Sequence, residues 1–397
     1  MKSVIKKFYH LIKCLSILTV FFLLIPVSFI LYHKKKWWLI SEVDFDARDN
    51  GYVFFTYLKE KHPEINVAYL IPKTHPKYRE IKMKKNAVEP HSLRHMLIFI
   101  SARVRISTLV HGCSPSNYIT KYVLYKHHFF GKNVALKHGI FKNLHPNYFK
   151  ENAHLDLICC ATKQEFDFIK NEFHYDEGVA QLTGLARFDN LNDAKIENQV
   201  LVMPTWRRWL DSISSADDFI DSEFYKQWIL FLNNSDLKTT LAKNNTKIVF
   251  FLHPKLSKFV SCFKDNCPEI LFLDKNSGSI QEELKKSKML ITDYSSVFFD
   301  FAYLKKPVVF YQFDENEYFK EHYLHGYFDY RKDGFGAVCT NFNEIINSTT
   351  QIVLNNYIVD KKYSTRADLS FLFRDSNNSD RIFKSINEMF NARHTKS

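Results

Sequence analysis

The chain has 397 residues, of which 46% are hydrophobic and 25% charged, and it carries a formal charge of +12 with an isoelectric point near 9.1. That length exceeds what one ordinary core sustains, so two domains of similar size are expected, and the composition is that of a folded globular body. The basic excess favours anionic partners, but no Arg-rich tract, zinc-finger spacing or RNA-binding signature accompanies it, which argues against nucleic acid; seven irregularly spaced cysteines argue against a disulfide framework or a zinc site.

The first forty residues stand apart. Cys14 to Tyr32 is nearly all apolar, with Lys6, Lys7 and Lys13 before it and Lys34-Lys35-Lys36-Trp37-Trp38 after it. Nineteen residues just suffice to cross a hydrocarbon core, and no good small-residue cleavage site follows. Residues 1–36 therefore read as a retained membrane anchor, held by 14–32. Positive charge at both ends gives the positive-inside rule no vote on topology. Pro26 offers a break at which the segment would fold into an interfacial hairpin, with Trp37 and Trp38 at the headgroup level and the lysines on anionic lipid.

From Trp37 onward, short apolar runs alternate with helical patterns. Strands are expected at 38–41, 66–71, 104–109, 133–137, 155–160 and 179–182, an alternation that implies a parallel sheet of β-α units. Polar residues 189–199 interrupt the series, placing a domain boundary between an N-terminal domain, 37–195, and a C-terminal one, 196–397. A second series follows at 200–203, 248–252, 270–273, 288–292, 308–311 and 337–340. The simplest architecture is α/β, two doubly wound domains facing one another across a cleft, with ligands at the C-terminal ends of the strands.

Four polar segments follow those strand ends: His138-Gly139-Ile140-Phe141-Lys142, Pro204-Thr205-Trp206-Arg207-Arg208, His253-Pro254-Lys255 and Asp293-Tyr294-Ser295-Ser296. The last precedes an amphipathic helix expected at 297–304, so its serines stand at a helix N-terminus, where free N–H groups and the helix dipole suit a phosphate. Alone, Ser295 would be read as an N-cap, His138 as a structural histidine and Arg207 as a solvated turn residue. Together the segments offer imidazoles, guanidinium groups, ammonium groups and a hydroxyl pair, a set suited to a pyrophosphate.

From about Asp46 to Phe383 the sequence resembles the CDP-glycerol glycerophosphotransferases that polymerise or prime teichoic acids and related phosphate-linked capsules. The landmarks are Arg48-Asp49-Asn50-Gly51, His138-Gly139, Thr183-Gly184-Leu185-Ala186-Arg187-Phe188-Asp189, Pro204-Thr205-Trp206-Arg207, His253-Pro254 and Thr292-Asp293-Tyr294-Ser295-Ser296-Val297-Phe298-Phe299-Asp300. Lys306-Pro307, Phe310-Tyr311, Gly326-Tyr327-Phe328-Asp329 and Ser379-Asp380-Arg381 follow in order. The resemblance implies a GT-B-like pair of Rossmann-type domains with the nucleotide held mainly by the C-terminal one. Teichoic acid polymerases usually show Trp-His-Gly-Thr-Pro-Leu-Lys where this chain has Lys137-His138-Gly139-Ile140-Phe141-Lys142, a form closer to capsule-type relatives, which leaves the acceptor open.

The toolkit and the resemblance together imply attack by a hydroxyl of a lipid-linked or polymeric saccharide acceptor on the β-phosphorus of a CDP-alditol, expelling CMP at the cytoplasmic face of the membrane. His138 is the candidate general base. His253, Ser295 and Ser296 would hold the pyrophosphate and relieve charge on the departing CMP, with Lys142 and Arg207 adding positive charge. Asp293 would orient its turn or contact the alditol, and Thr205 and Asp300 complete the expected substrate-binding set. The sequence fixes no cofactor; Mg²⁺ is open as a companion of the pyrophosphate, without a protein ligand that the sequence identifies. Asp44-Phe45-Asp46 matches an Asp-x-Asp metal signature but follows the first strand rather than a mid-chain nucleotide site. Two rival readings stand beside this one: a GT-B glycosyltransferase using a nucleotide sugar, and a non-catalytic membrane-tethered binder of anionic polymer.

Overall fold

The computed structural model describes residues 2–124, 130–191, 194–274, 280–321 and 326–391. Residues 192 and 193 of the expected boundary segment lie outside the described residues. The chain divides into two compact units, Met1–His138 with His145–Asp189 and Asp375–Ser397, and Gly139–Leu144 with Asn190–Arg374.

In the first unit the strands are β1 (Trp37–Ser41), β2 (Val67–Leu70), β3 (Ala87–Val88), β4 (Ala102–Ser107), β5 (Lys132–Ala135), β6 (Leu157–Cys160) and β7 (Ala180–Leu182). They form an all-parallel sheet in the order β3-β2-β1-β4-β5-β6-β7. Successive residues of β1 point to opposite layers and both layers are covered: Ile40 packs with Phe54 and Phe55 of the helix Asn50–Lys61, Leu39 with Phe99 and Ile100 of the helix Leu93–Ser101. Burial on both faces is why these strands read as continuous apolar runs rather than alternating ones. Only β3, two residues long, leaves no run to recognise.

The second unit repeats the plan with β8 (Gln199–Met203), β9 (Lys247–Phe251), β10 (Leu271–Leu273), β11 (Met289–Thr292), β12 (Val308–Tyr311) and β13 (Gly336–Cys339). The order is β10-β9-β8-β11-β12-β13, again all parallel. Its core gathers Val200, Trp228, Phe250, Ile291, Val309 and Ile345. Two parallel α/β sheets of doubly wound order are thus the fold, as expected.

Four expectations need correction. The second domain does not run to residue 397: the helix Asn378–Asn391 carries Ile382 and Ile386, both fully buried, into the core of the first unit, each worth roughly 1.5–3 kcal/mol. Its N-terminus is fixed there by Asp189, whose carboxylate accepts from the Asn378 and Ser379 N–H groups, each at 2.8 Å. Gly184, at φ +79, belongs to the same junction, since a Cβ there would lie 1.8 Å from Asn378 Oδ1. Second, the N-terminal helix Lys2–Lys35 runs unbroken through Pro26, so no hairpin forms. Third, Trp38 is buried in β1 and Trp37 begins that strand, so neither is free for a headgroup belt. Fourth, the helix after β11 is Phe298–Tyr303, shorter than expected and buried on all sides rather than amphipathic.

Candidate active site

In the second unit the strand order reverses between β8 and β11, the point at which open α/β sheets receive ligands beyond their carboxyl ends. Thr205 follows β8 and Asp293 follows β11, and the Thr205 N–H donates to Asp293 Oδ1 at 2.8 Å, tying the two turns together. Asp293 also accepts the Arg207 guanidinium, Nη1 to Oδ2 at 2.8 Å. The same guanidinium reaches Asp314 through Nε at 2.6 Å and Nη2 at 3.1 Å, and donates to the Thr205 carbonyl at 2.6 Å. Tyr294, whose hydroxyl donates to Asp314 at 3.0 Å, stacks on Tyr318 with ring centroids 3.7 Å apart, and both rings flank Arg207 at about 5 Å. Burial works against the charge on Arg207, but Asp293 and Asp314 more than offset it and hold the group protonated. Arg207 is fully buried with its donors directed at two carboxylates and a carbonyl, so it is not presented to a phosphate. Asp314, absent from the expected set, follows β12 as the other site residues follow their strands.

Lys142 lies in this unit, on the short segment Gly139–Leu144. Gly139 passes close to Ser296, where a Cβ would stand 3.0 Å from Oγ, and Gly326 backs onto Lys142, where a Cβ would stand 2.1 Å from its carbonyl oxygen. Those approaches give physical meaning to two landmark glycines. The Lys142 side chain is buried, its amine 5.5 Å from the centre of the Tyr330 ring. Burial lowers its pKa to about 8, outweighing the attraction of Asp293. No carboxylate stands within ion-pair distance of it among the described residues. The buried Thr205 hydroxyl likewise has no hydrogen-bond partner among the described residues.

His253 follows β9, and its Nδ1 accepts the Lys255 N–H at 3.3 Å. Burial, reinforced by the Lys255 charge and opposed by Asp211, pulls its pKa to about 4. The ring is therefore neutral at pH 7, and the Nδ1 acceptor role assigns the proton to Nε2, leaving an N–H to offer. Ser295 and Ser296 are half-buried; the Ser295 hydroxyl accepts the Val297 N–H at 3.4 Å, the capping-like role that a lone Ser would be given. Asp300 is buried within the helix Phe298–Tyr303.

His138 belongs to the first unit, where it follows β5 and is exposed. Desolvation by the surrounding protein, with the charges of Arg187 and Lys137, lowers its pKa below the usual histidine range against the opposing pull of Asp49. The Asp-x-Asp segment supplies Asp46 to an ion pair with Arg48 at 3.0 Å and to a hydrogen bond with His75 Nε2 at 3.1 Å.

The family described as CDP-glycerol:poly(glycerophosphate) glycerophosphotransferase matches residues 23–388. The minor teichoic acid biosynthesis protein GgaB of Bacillus subtilis (strain 168) is 31% identical over 380 residues, covering 93% of this chain and 41% of that protein. The teichoic acid glycerol-phosphate transferase of Staphylococcus aureus (strain NCTC 8325 / PS 47) is 27% identical over 246 residues, covering 57% of this chain and 59% of that protein. This chain thus spans about two-fifths to three-fifths of the length of these curated relatives. Among solved structures, the wall teichoic acid polymerase TagF superposes with a TM-score of 0.64 at 17% identity over 90% of both chains, a likeness of fold.

Proposed function

From the CDP-glycerol:poly(glycerophosphate) glycerophosphotransferase family, to which this chain belongs, we propose that it takes its chemistry: transfer of alditol phosphate, glycerol phosphate foremost, from a CDP-alditol to a hydroxyl of a membrane-linked saccharide or teichoic-acid-like acceptor, with release of CMP. The observation that carries this reading is Lys142. A buried ammonium without a carboxylate at ion-pair distance is costly unless an anion completes it. Lys142 shares its unit with the buried Thr205 hydroxyl, which has no hydrogen-bond partner among the described residues, and feels Asp293, beside the reversal of strand order. A pyrophosphate is the anion that Lys142, the His253 Nε2–H and the two serine hydroxyls suit in common.

In the proposed reaction the acceptor oxygen bonds to the β-phosphorus as the bond to the bridging oxygen breaks. The acceptor proton passes to His138, and CMP leaves with the electron pair, its charge met by Lys142 and His253. A base already lowered below the usual histidine range is neutral at pH 7, so the acid limb of the kcat/KM profile is expected below pH 6.5. The test offers the detergent-solubilised chain CDP-glycerol and CDP-ribitol separately, with a membrane extract as acceptor. Acceptor-dependent CMP is expected from one or both, reduced on the order of 10²–10⁴-fold in His138→Ala. UDP released from a nucleotide sugar, with no CMP from either donor, would reject phosphotransfer in favour of sugar transfer.

Membrane attachment at the cytoplasmic face, where a CDP-alditol is available, completes the reading. The helix Lys2–Lys35 supports attachment along one leaflet rather than across the bilayer. Phe21 and Ser28 are buried against the first unit, Ile17, Leu24 and Ile25 pack beside them, and His10 Nδ1 lies 3.0 Å from the Tyr118 hydroxyl. The opposite face exposes Phe8, Leu15, Phe22, Leu23 and Ile30. Phe8–Lys35 is long and apolar enough to cross a membrane, but the face that packs on the first unit is taken up by protein, which leaves the opposite face for the headgroup–acyl boundary. Bound to phosphatidylglycerol vesicles, a tag fused before Met1 is expected to stay open to external protease, whereas a tag protected until detergent is added would mean that the helix spans.

A further inference from the structure

His138 stands on a turn that is held from several sides. Lys137, immediately before it, has φ +59, a left-handed conformation uncommon for a residue with a Cβ. The constraints are visible in the first unit. The Lys137 side chain is fully buried in an ion pair with Glu165, also fully buried, and Glu165 in turn accepts the Ala161 N–H at 2.9 Å. The Lys137 carbonyl accepts Asn50 Nδ2 at 2.7 Å, and the His138 carbonyl accepts Arg187 Nη1 at 2.8 Å. Asn50 and Arg187 are themselves joined, since Asn50 Oδ1 accepts the Arg187 N–H at 3.0 Å. Arg187 also pairs with Asp49 at 3.1 Å.

Behind this pair lies Glu42. Its carboxylate accepts the backbone N–H groups of Arg48 and Asp49, each at 3.1 Å, and of Tyr52 at 2.6 Å, which fixes the start of the helix that carries Asn50. Asn50 is fully buried and Arg187 nearly so. Both peptide groups around His138 are therefore gripped by side chains that reach it from distant parts of the chain.

We propose that Asn50 and Arg187 are positioning residues that set the direction of the His138 imidazole by holding the carbonyls on either side of its Cα. The inference rests on His138 being the general base. Orientation of a base governs the reactive geometry and not the affinity for the donor, so the effect belongs in kcat. A buried amide and guanidinium would serve the fold without such a split. The charges that act on the ring are Arg187, Lys137 and Asp49. Arg187→Lys keeps a cation there while losing the guanidinium whose Nη1 donates to both Asp49 and the His138 carbonyl, a position that the shorter, unbranched ammonium does not reproduce.

The experiment measures kcat and the KM for CDP-glycerol in the full chain for Asn50→Ala and Arg187→Lys, each made in the parent and in His138→Ala, with circular dichroism and a thermal melt as the check on folding. In the parent, kcat is expected to fall on the order of 10–100-fold with KM within about twofold. In His138→Ala the same substitutions are expected to change the residual rate by less than about twofold, because there is no imidazole left to aim. Equal losses in both backgrounds, or an unchanged kcat in the parent, would overturn the positioning role while leaving the base in place. Should His138→Ala itself retain full activity, the base reading falls and this inference with it. If Asn50→Ala fails to fold, the decision passes to Arg187→Lys, which keeps a cation beside Asp49.

Discussion

Lys142→Met is expected to stabilise the second unit and at the same time to abolish productive donor binding. Burial holds the Lys142 pKa near 8, against an ordinary value of 10.5, so keeping it charged at neutral pH costs on the order of 3 kcal/mol. Met fills similar volume without that cost. A rise in Tm of roughly 5 °C or more is expected at pH 7. The sign across pH follows from proton counting. Between about pH 8 and 10.5 the unfolded chain holds the proton that the folded one has lost, so stability of the parent rises with pH over that window, and the variant loses this component. Donor affinity runs the other way, weakening in the parent as the free amine discharges above about pH 8 and falling roughly 10²-fold in the variant at pH 7. Calorimetric binding of CDP-glycerol beside a thermal melt reads both. A lower Tm with unchanged affinity would make Lys142 an internal counter-ion of Asp293 and remove the main support for the donor site.

Arg207→Ala is expected to be among the most damaging single changes in the second unit. It would leave Asp293 and Asp314 buried without their cation, a loss of about 3–5 kcal/mol. Arg207→Lys should recover little, because one ammonium does not span two carboxylates and the Thr205 carbonyl. The triple change Arg207→Met, Asp293→Asn and Asp314→Asn should regain much of the stability, since the charges leave together. Activity should still fall in it, because the Asp293 charge that helps keep Lys142 protonated is gone. Urea unfolding of the four proteins checks the order. If Arg207→Lys kept full stability and only raised the donor KM, the guanidinium would be a direct phosphate ligand after all.

Much of the candidate site in the second unit is legible in the amino-acid order. Each of the twelve expected strands is found, because a parallel sheet covered on both faces leaves an apolar run with polar residues at its carboxyl end. Thr205, His253, Asp293 and Ser295 are singled out by that position alone, and the fold brings Thr205 and Asp293 into direct contact. Asp314 obeys the same rule after β12 and is recoverable by it. Arg207 stands out in the sequence for the wrong reason: a guanidinium near a strand end looks the same whether it faces a phosphate or two carboxylates.

The amino-acid sequence by itself determined the two α/β sheets, the apolar N-terminal segment, the family and the short list of strand-end residues, since all of these follow from local periodicity and from motifs read in order. Tertiary structure alone decided which charges meet. Arg207 and Asp314 are 107 positions apart, and Arg187 reaches the His138 carbonyl across 49. It also decided that the helix Asn378–Asn391 returns to the first unit, and that Lys142 sits with the second. The reason is physical. Periodicity is set by neighbours along the chain, whereas the cost of burying a charge depends on what surrounds it in space.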